Sequence, residues 1–316
     1  MTMTRTDWWA ICETNAFTPR TLCLIADLFA DIPIQSAQEL IDLTIPHALY
    51  RSALTKDAVY EAYERASRQL FDCEKQGIQT LAITDADFPA RLKAIPDPPL
   101  RLYIRGNIDL LHTTNGVALI GTRKPTDHGQ ELAYQYGQAL AQAQKVVVSG
   151  LALGCDTGGH QGCLEVKNGR TVAFLPGSVV HIYPAENRNL AENILASDGV
   201  LVSEYPPDTS GLLPVHHFID RDRLQAGLAQ AILVIETDVK GGSMHTVRFA
   251  EKQGNRPIAV ADSHPDHLRH EKQVSGNRLL LRHNRATPIY NDKDLKKWLK
   301  TIPQFKSSKQ GKLYVL

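Results

Sequence analysis

From Val117 onward, short apolar runs alternate with mixed polar stretches: VALIG, VVVSG, TVAFLPG, GVLVSEY, AILVIET and PIAVA. These runs show no polar alternation, so they suit strands covered on both faces, as in a parallel sheet with helices above and below. The stretches between them carry helical apolar spacing, with helix starts expected near Thr126, Asp156, Glu186, Phe218 and Gly242, and with Asp156 as an N-cap. The pattern predicts a doubly wound, mostly parallel α/β sheet.

Before Val117 the rhythm differs. TLCLIADLF and AQELIDL read as short helices, broken by Pro33 and Pro46. A longer helix is expected from about Asp57 to Lys75, stopping at Gly77. IQTLAIT and LRLYIRG are strand candidates on either side of a proline-punctuated segment. Residues 262–276 read as a polar loop, and DKDLKKWLK as a last basic helix. The expected organisation is a small helical domain over residues 1–55, the α/β domain over 56–300, and a tail over 301–316 too short for another domain.

Composition narrows the class. Hydrophobic residues make up 43% and charged residues 22% of the 316, enough for a sizeable core. The formal net charge is +1, so any polyanionic partner must meet local positive charge. Cys12, Cys23, Cys73, Cys155 and Cys163 form no CxxC pair, which fits a reduced cytoplasmic protein. MTMTRTDWWAICET has no long apolar core, so no signal peptide is expected, and no run approaches the length of a membrane span.

In doubly wound sheets, ligands sit beyond the carboxyl ends of the strands. The informative residues are therefore those just after each apolar run. VALI runs into Gly121, Thr122, Arg123 and Lys124; VVVS into Gly150 and, in SGLALGCDTGGH, Gly154; AILVIE into Lys240, Gly241, Gly242 and Ser243. A glycine turn between a buried strand and a helix start points backbone N–H groups and a helix dipole at an anion. Arg123 lies inside such a turn, where a guanidinium clamps phosphate. Arg221 and Arg223 lie in FIDRDRLQAGL, alternating with Asp220 and Asp222. These cations would neutralise about four to six phosphates, with affinity largely indifferent to base sequence.

Nucleotide chemistry fits less well. No GxGxxG follows the first strand, and no GxxxxGK[ST] occurs. A nucleotide hydrolase of this architecture would want a PGGxGTxxE-like loop. The nearest stretch, KGGSMHTVR, puts Arg248 where the carboxylate belongs.

The loops resemble those of the DNA-processing protein A family (DprA, also called Smf). The matching stretches are FPARLKAIPDPPLRLYIRGN, VALIGTRKPTDHG, VVVSGLALGCDTGGHQGCL, VAFLPGSVVHIYPAENRNLAE, LVSEYPPDT, RDRLQAGLAQAILVIE, GGSMHTVRFAEKQGNRPIAV and SGNRLLL, over about residues 77–290. The resemblance implies an extended Rossmann-like fold with a small N-terminal helical (SAM-like) domain. It further implies a homodimer that binds single-stranded DNA without cleaving it and hands incoming strands to a RecA-type recombinase in natural transformation. Gly121, Thr122 and Arg123 match the family's GSR-type anion motif. RDR matches an RNR-type segment, with Asp222 in place of asparagine. VKGGSMHT matches an RSGSLIT-type loop, with Lys240 keeping a positive charge and Met244-His245 departing from the pattern. GCDTGGH differs from the usual GIDAAAH by two added glycines, NAFTPRT lacks the family's GxG hairpin turn, and no winged-helix-like C-terminal domain is seen.

Other residues have bland readings. His264, His267 and His270 lack a partner carboxylate or cysteine at metal-ligand spacing, and Cys155, His160 and Cys163 suit helix packing, so no metal and no cofactor is expected. Glu204 and Glu236 end strands at the ligand edge, where a carboxylate serves catalysis, a helix cap, or pairing with Arg123. Trp8, Trp9 and Trp298 fit domain packing better than base stacking. No catalytic residue is assigned. The competing functions are a single-strand binder, a nucleoside-monophosphate hydrolase on a related fold, and a sensor of a small nucleotide.

Overall fold

The computed structural model describes residues 4–14, 16–28, 39 and 56–303. Most of the helix expected over AQELIDL, its flanking prolines, and the tail from 304 lie outside the described residues. The chain divides into two compact units, Met1–Ile104 and Arg105–Leu316.

The first unit contains helices α1 (Arg5–Glu13), α2 (Pro19–Leu28) and α3 (Lys56–Lys75), strand β1 (Gln79–Ala82), short α4 (Ala90–Lys93), and most of β2 (Arg101–Gly106). Thr4 caps α1 in a capping box with Asp7, the Thr4 N–H donating to the carboxylate at 2.9 Å. β1 and β2 pair antiparallel, Leu81 opposite Leu102. Trp8 and Trp9 are fully buried. Their indole N–H groups donate to Leu100 O at 3.0 Å and to Tyr103 Oη at 3.2 Å. Arg101 pairs with Glu13 at 2.6 Å. These contacts tie α1 to β2 within the first unit. Residues 56–104 are held by tryptophans almost a hundred positions upstream, a linkage that chain order conceals.

The second unit begins with β3 (Gly116–Ile120), α5 (Asp127–Gln142), β4 (Val146–Ser149), α6 (Cys155–Leu164), β5 (Thr171–Phe174), α7 (Arg188–Ala196) and β6 (Val200–Ser203). It continues with α8 (Val215–Leu228), β7 (Ala231–Val234), α9 (Ser243–Lys252), β8 (Ile258–Ala261), α10 (Ser275–Arg282), β9 (Thr287–Ile289) and α11 (Asp292–Thr301). Strands pair parallel in the order β6-β5-β4-β3-β7-β8-β9. This is the expected extended Rossmann-like, doubly wound sheet. The order reverses at β3 and β7, and a crevice opens there at the strands' carboxyl ends. The apolar runs fill the core: β3 to β8 are buried along their whole length, and Trp298 of α11 belongs to the same core cluster as Leu119, Leu233 and Ala261. Truncating such a side chain, as in Leu119→Ala, costs about 2–5 kcal/mol.

Several boundaries differ from the pattern. Helix α6 is capped by Gly154, which has φ +77°, and not by Asp156, which sits in the first turn. The added glycines of GCDTGGH permit close packing: a Cβ at Gly159 would meet the Leu119 side chain of the sheet, and one at Gly158 would meet Ala133 of α5. Helix α8 begins at Val215, because Pro214 fixes an extended turn just ahead of it. The polar stretch after β8 holds two 3₁₀ turns, then α10 and β9. The pattern hid α10 because its apolar residues are few, and β9 because it has three residues with Pro288 in the middle. Asn277 of α10 is buried and donates to Ile235 O at 2.7 Å and Ala261 O at 3.1 Å, joining the ends of β7 and β8.

His160 is fully buried, with Nδ1 2.8 Å from Thr171 Oγ1, and burial lowers its pKa to about 3. Cys155 and Cys163 are buried thiols; burial pushes Cys163 up to about 12. Both cysteines and His160 thus belong to the packing between α6 and the sheet. Among the described residues, no helix is long and apolar enough to cross a membrane.

Candidate nucleic-acid interface

Three strand-end loops and one face of α8 enclose a cavity of about 690 Å³ at the crevice between β3 and its neighbours. The first wall is the turn after β3. Gly121 is required there, because a Cβ would run into Cys155 Sγ on α6. The turn is held from both sides: Thr122 N–H donates to Glu236 O at 2.7 Å, and Cys155 N–H donates to Thr122 O at 3.2 Å. Arg123 and Lys124 then emerge exposed at the cavity rim. The Arg123 guanidinium lies 4.7 Å from the centroid of the Phe218 ring, a cation–π contact that orients it.

Behind this turn, Glu236 is fully buried. It accepts from Thr126 N at 2.8 Å, from Thr126 Oγ1 at 2.7 Å, and contacts His264 Nε2 at 2.9 Å. Thr126 caps α5 through Gly129 N at 2.9 Å. Burial pushes the Glu236 carboxyl up, but the hydrogen bonds from His264 and Thr126 outweigh it and leave it lowered. Glu236 therefore anchors the α5 cap. It does not pair with Arg123, and His264 serves to hold it.

The second wall is the loop after β4. Gly150 N–H donates to Asp156 Oδ2 at 3.2 Å. The space a Cβ on Gly150 would take is filled by the Arg221 guanidinium, which explains the glycine. Arg221 is buried, at 6% exposure, with Nη1 3.6 Å from Asp156 and Nε 3.1 Å from Asp222 Oδ1. With its carbonyl oxygen turned inward, Gln225 accepts from Arg221 Nη1 at 3.1 Å and Gly150 N at 2.8 Å. Burial pushes Asp222 up to about 7, aided by the nearby Asp156 and opposed by Arg221. Asp156 is also raised by burial.

The third wall follows β7. Gly241 N–H donates to Asp238 O at 2.8 Å, closing a turn that leads into α9. Ser243 Oγ donates to Gly121 O at 2.7 Å, fixing the third wall to the first. The first turn of α9 thereby lines the cavity, with the positive end of its dipole toward it.

Of the residues singled out in the sequence, Gly121, Thr122, Arg123, Lys124, Arg221, Gly241, Gly242 and Ser243 line the cavity. Gly150 lies behind Arg221, and Gly154 packs under the β3 turn, where a Cβ would meet Pro125 and Arg123. Lys240 is exposed beside the third wall. Arg223 is turned away: its Nη2 donates to Glu204 Oε1 at 2.7 Å, with both side chains largely buried. The sequence read Phe218 and Asp156 only as helix-start positions and gave Lys272 no role, yet all three line the cavity. Phe218 could have been found, one helical turn before Asp222 on α8. Lys272 could not, since its place depends on the folding of a polar loop.

The fold and the cavity define a Rossmann-like protein with glycine turns and cations gathered at its strand-end switch point. A family model, DNA recombination-mediator protein A, matches residues 79–300. The chain belongs to that family, in agreement with the resemblance carried by its loops. It is 33% identical over 231 residues to the DNA processing protein DprA of Bacillus subtilis, covering 73% of this chain and 76% of that protein. It is 37% identical over 244 residues to the protein Smf of Synechocystis, covering 76% of this chain and 58% of that longer protein. Among solved structures, DprA of Streptococcus pneumoniae superposes with a TM-score of 0.77 at 23% identity, over 94% of this chain and 98% of that one, and shares the fold. DprA of Helicobacter pylori, solved for its single-stranded DNA binding mode, gives a TM-score of 0.62 at 30% identity, over 72% of this chain and 97% of that one.

Proposed function

We propose that this protein binds single-stranded DNA along the strand-end edge of its second unit, protects incoming strands, and aids their loading onto a RecA-type recombinase in natural transformation or recombination. The observation that carries this reading is the β3 turn, which sets Arg123 and Lys124, exposed and side by side, at the rim of a cavity on the sheet's switch point. A strand's phosphates would lie on that turn and on the start of α9. The H. pylori relative, whose structure was solved for its single-stranded DNA binding mode, supports the same ligand here. The protein acts in the cytoplasm as a homodimer, which gives long strands two edges to hold at once.

The strand is held and not cleaved. In support, the buried carboxylate at the edge, Glu236, is engaged by Thr126 and His264, and Glu204 by Arg223. Fluorescence anisotropy with an oligothymidine series tests the reading. Tight binding to long strands, weaker binding to duplex, and no turnover of strand or adenosine monophosphate are expected. Binding insensitive to salt, or displacement of the strand by micromolar free nucleotide, would favour a small-nucleotide sensor instead.

A further inference from the structure

The cavity is not uniformly positive. Arg123 and Lys124 stand exposed at its rim, whereas Asp156 and Asp222 are buried in its wall, at 5% and 7% exposure. Arg221 lies between them in the same wall, so two carboxylates share one buried cation and leave a net negative charge there, which phosphate does not favour. This division of charge suits a ligand with an anion at one end and N–H donors at the other. The same wall carries an aromatic face. Phe218 and Asp222 are four residues apart on α8, so they share one side of the helix, and both line the cavity. The two carboxylates differ in how far they are used. Asp156 accepts from the backbone N–H groups of Gly150 and Ala152. Asp222 receives no backbone N–H among the described residues; Arg221 Nε, 3.1 Å from Oδ1, is its ion-pair partner, and the carboxylate keeps further acceptor lone pairs for other donors.

We propose that the cavity seats a guanine nucleotide, with its phosphate on the Gly121–Lys124 turn, its base against Phe218, and its N1–H and N2–H donating to the Asp222 carboxylate. The cavity volume of about 690 Å³ falls in the usual range for sites that hold such ligands. A carboxylate offers two acceptor oxygens, and guanine offers two adjacent N–H donors on its Watson–Crick edge. Adenine presents one amino group beside an acceptor nitrogen, and thymine one N–H between two carbonyls, so each leaves a carboxylate oxygen facing an acceptor. The inference rests on the reading of this edge as a strand-binding surface, where the guanine is one unit of the strand. Phosphates then carry most of the affinity, and one base in each register is read.

The experiment uses the full chain at pH 8, where Asp222 is ionised. Calorimetry measures guanosine, inosine and adenosine monophosphates, and anisotropy measures oligothymidine with and without one internal guanine. Guanosine monophosphate should bind about tenfold or more tighter than the adenosine nucleotide, with inosine, which lacks the 2-amino group, between them. The isosteric Asp222→Asn should reduce that ratio to about twofold or less, with circular dichroism confirming the fold. Equal binding of the guanosine and adenosine nucleotides, or a preference that survives in Asp222→Asn, would overturn the assignment. Oligothymidine binding with no gain from the internal guanine and no nucleotide preference also overturns it, and leaves the strand reading standing. A guanosine preference without oligothymidine binding upholds the base seat and removes the strand reading.

Discussion

Two arginines of the same edge have opposite fates. Arg123 leaves a glycine turn whose backbone is fixed by Glu236 and Cys155, and it stands exposed, braced on Phe218. Arg223 leaves the middle of α8 and finds Glu204, at the end of β6, 2.7 Å away. Arg221, two residues before it, is buried between Asp156 and Asp222. In the sequence all three are cations near a ligand edge. In the folded chain one is available to a phosphate, one is held by a carboxylate, and one is a strut inside the wall. Availability is decided by which carboxylates the fold brings within reach, and not by the number of positive charges.

The contrast is sharpest at Arg221. Arg221→Ala should leave Asp156 and Asp222 buried without their cation and destabilise the protein by about 3–5 kcal/mol. Urea unfolding measures this, and a loss below about 1 kcal/mol would show that Arg221 is not the strut described. Next comes Asp222. Its carboxyl has a pKa of about 7 in the folded chain, above the ordinary 3.8 of an unfolded one. The folded state therefore binds this proton more tightly, and the stability present in acid is lost as pH rises from about 4 through 7. Asp222→Asn should flatten that fall, which is on the order of 4 kcal/mol from the size of the shift. Melting temperatures across the interval decide it.

At Arg123 the effect moves from stability to binding. Arg123→Ala should weaken single-strand affinity by about 1.5–3 kcal/mol and leave the unfolding midpoint in place, since the turn is held by backbone and by Gly121. At Arg223 the same substitution should change strand affinity by less than about 1 kcal/mol. If the two variants lose affinity equally, the distinction between an exposed and a paired arginine is wrong. The smallest effect is in salt dependence. Five cations would contact about four to six phosphates, but Arg221 and Arg223 are engaged, leaving Arg123, Lys124 and Lys240 exposed. The slope of log affinity against log salt should thus be about −2 per edge, and not −3 to −4.

Much of this molecule was legible in its sequence. The unbroken apolar runs determined a parallel sheet, because a strand without polar alternation must be covered on both faces. The glycine turns after β3, β4 and β7 determined where a ligand edge would form, because ligands gather at strand carboxyl ends. The order and spacing of those loops determined the family. What the sequence could not decide was the state of each charged group on the edge. Glu236 was open to catalysis, capping or pairing, and only packing brought Thr126 and His264 to it from 110 and 28 positions away. The joining of α1 to β2 was likewise decided by packing, through Trp8 and Trp9 bonded to Leu100 and Tyr103 more than ninety positions away. Periodicity and turn chemistry act over a few residues and can be read along the chain. The ionisation, pairing and exposure of a side chain depend on neighbours that the chain supplies from far away, and those are fixed only when the sheet and its helices have closed around them.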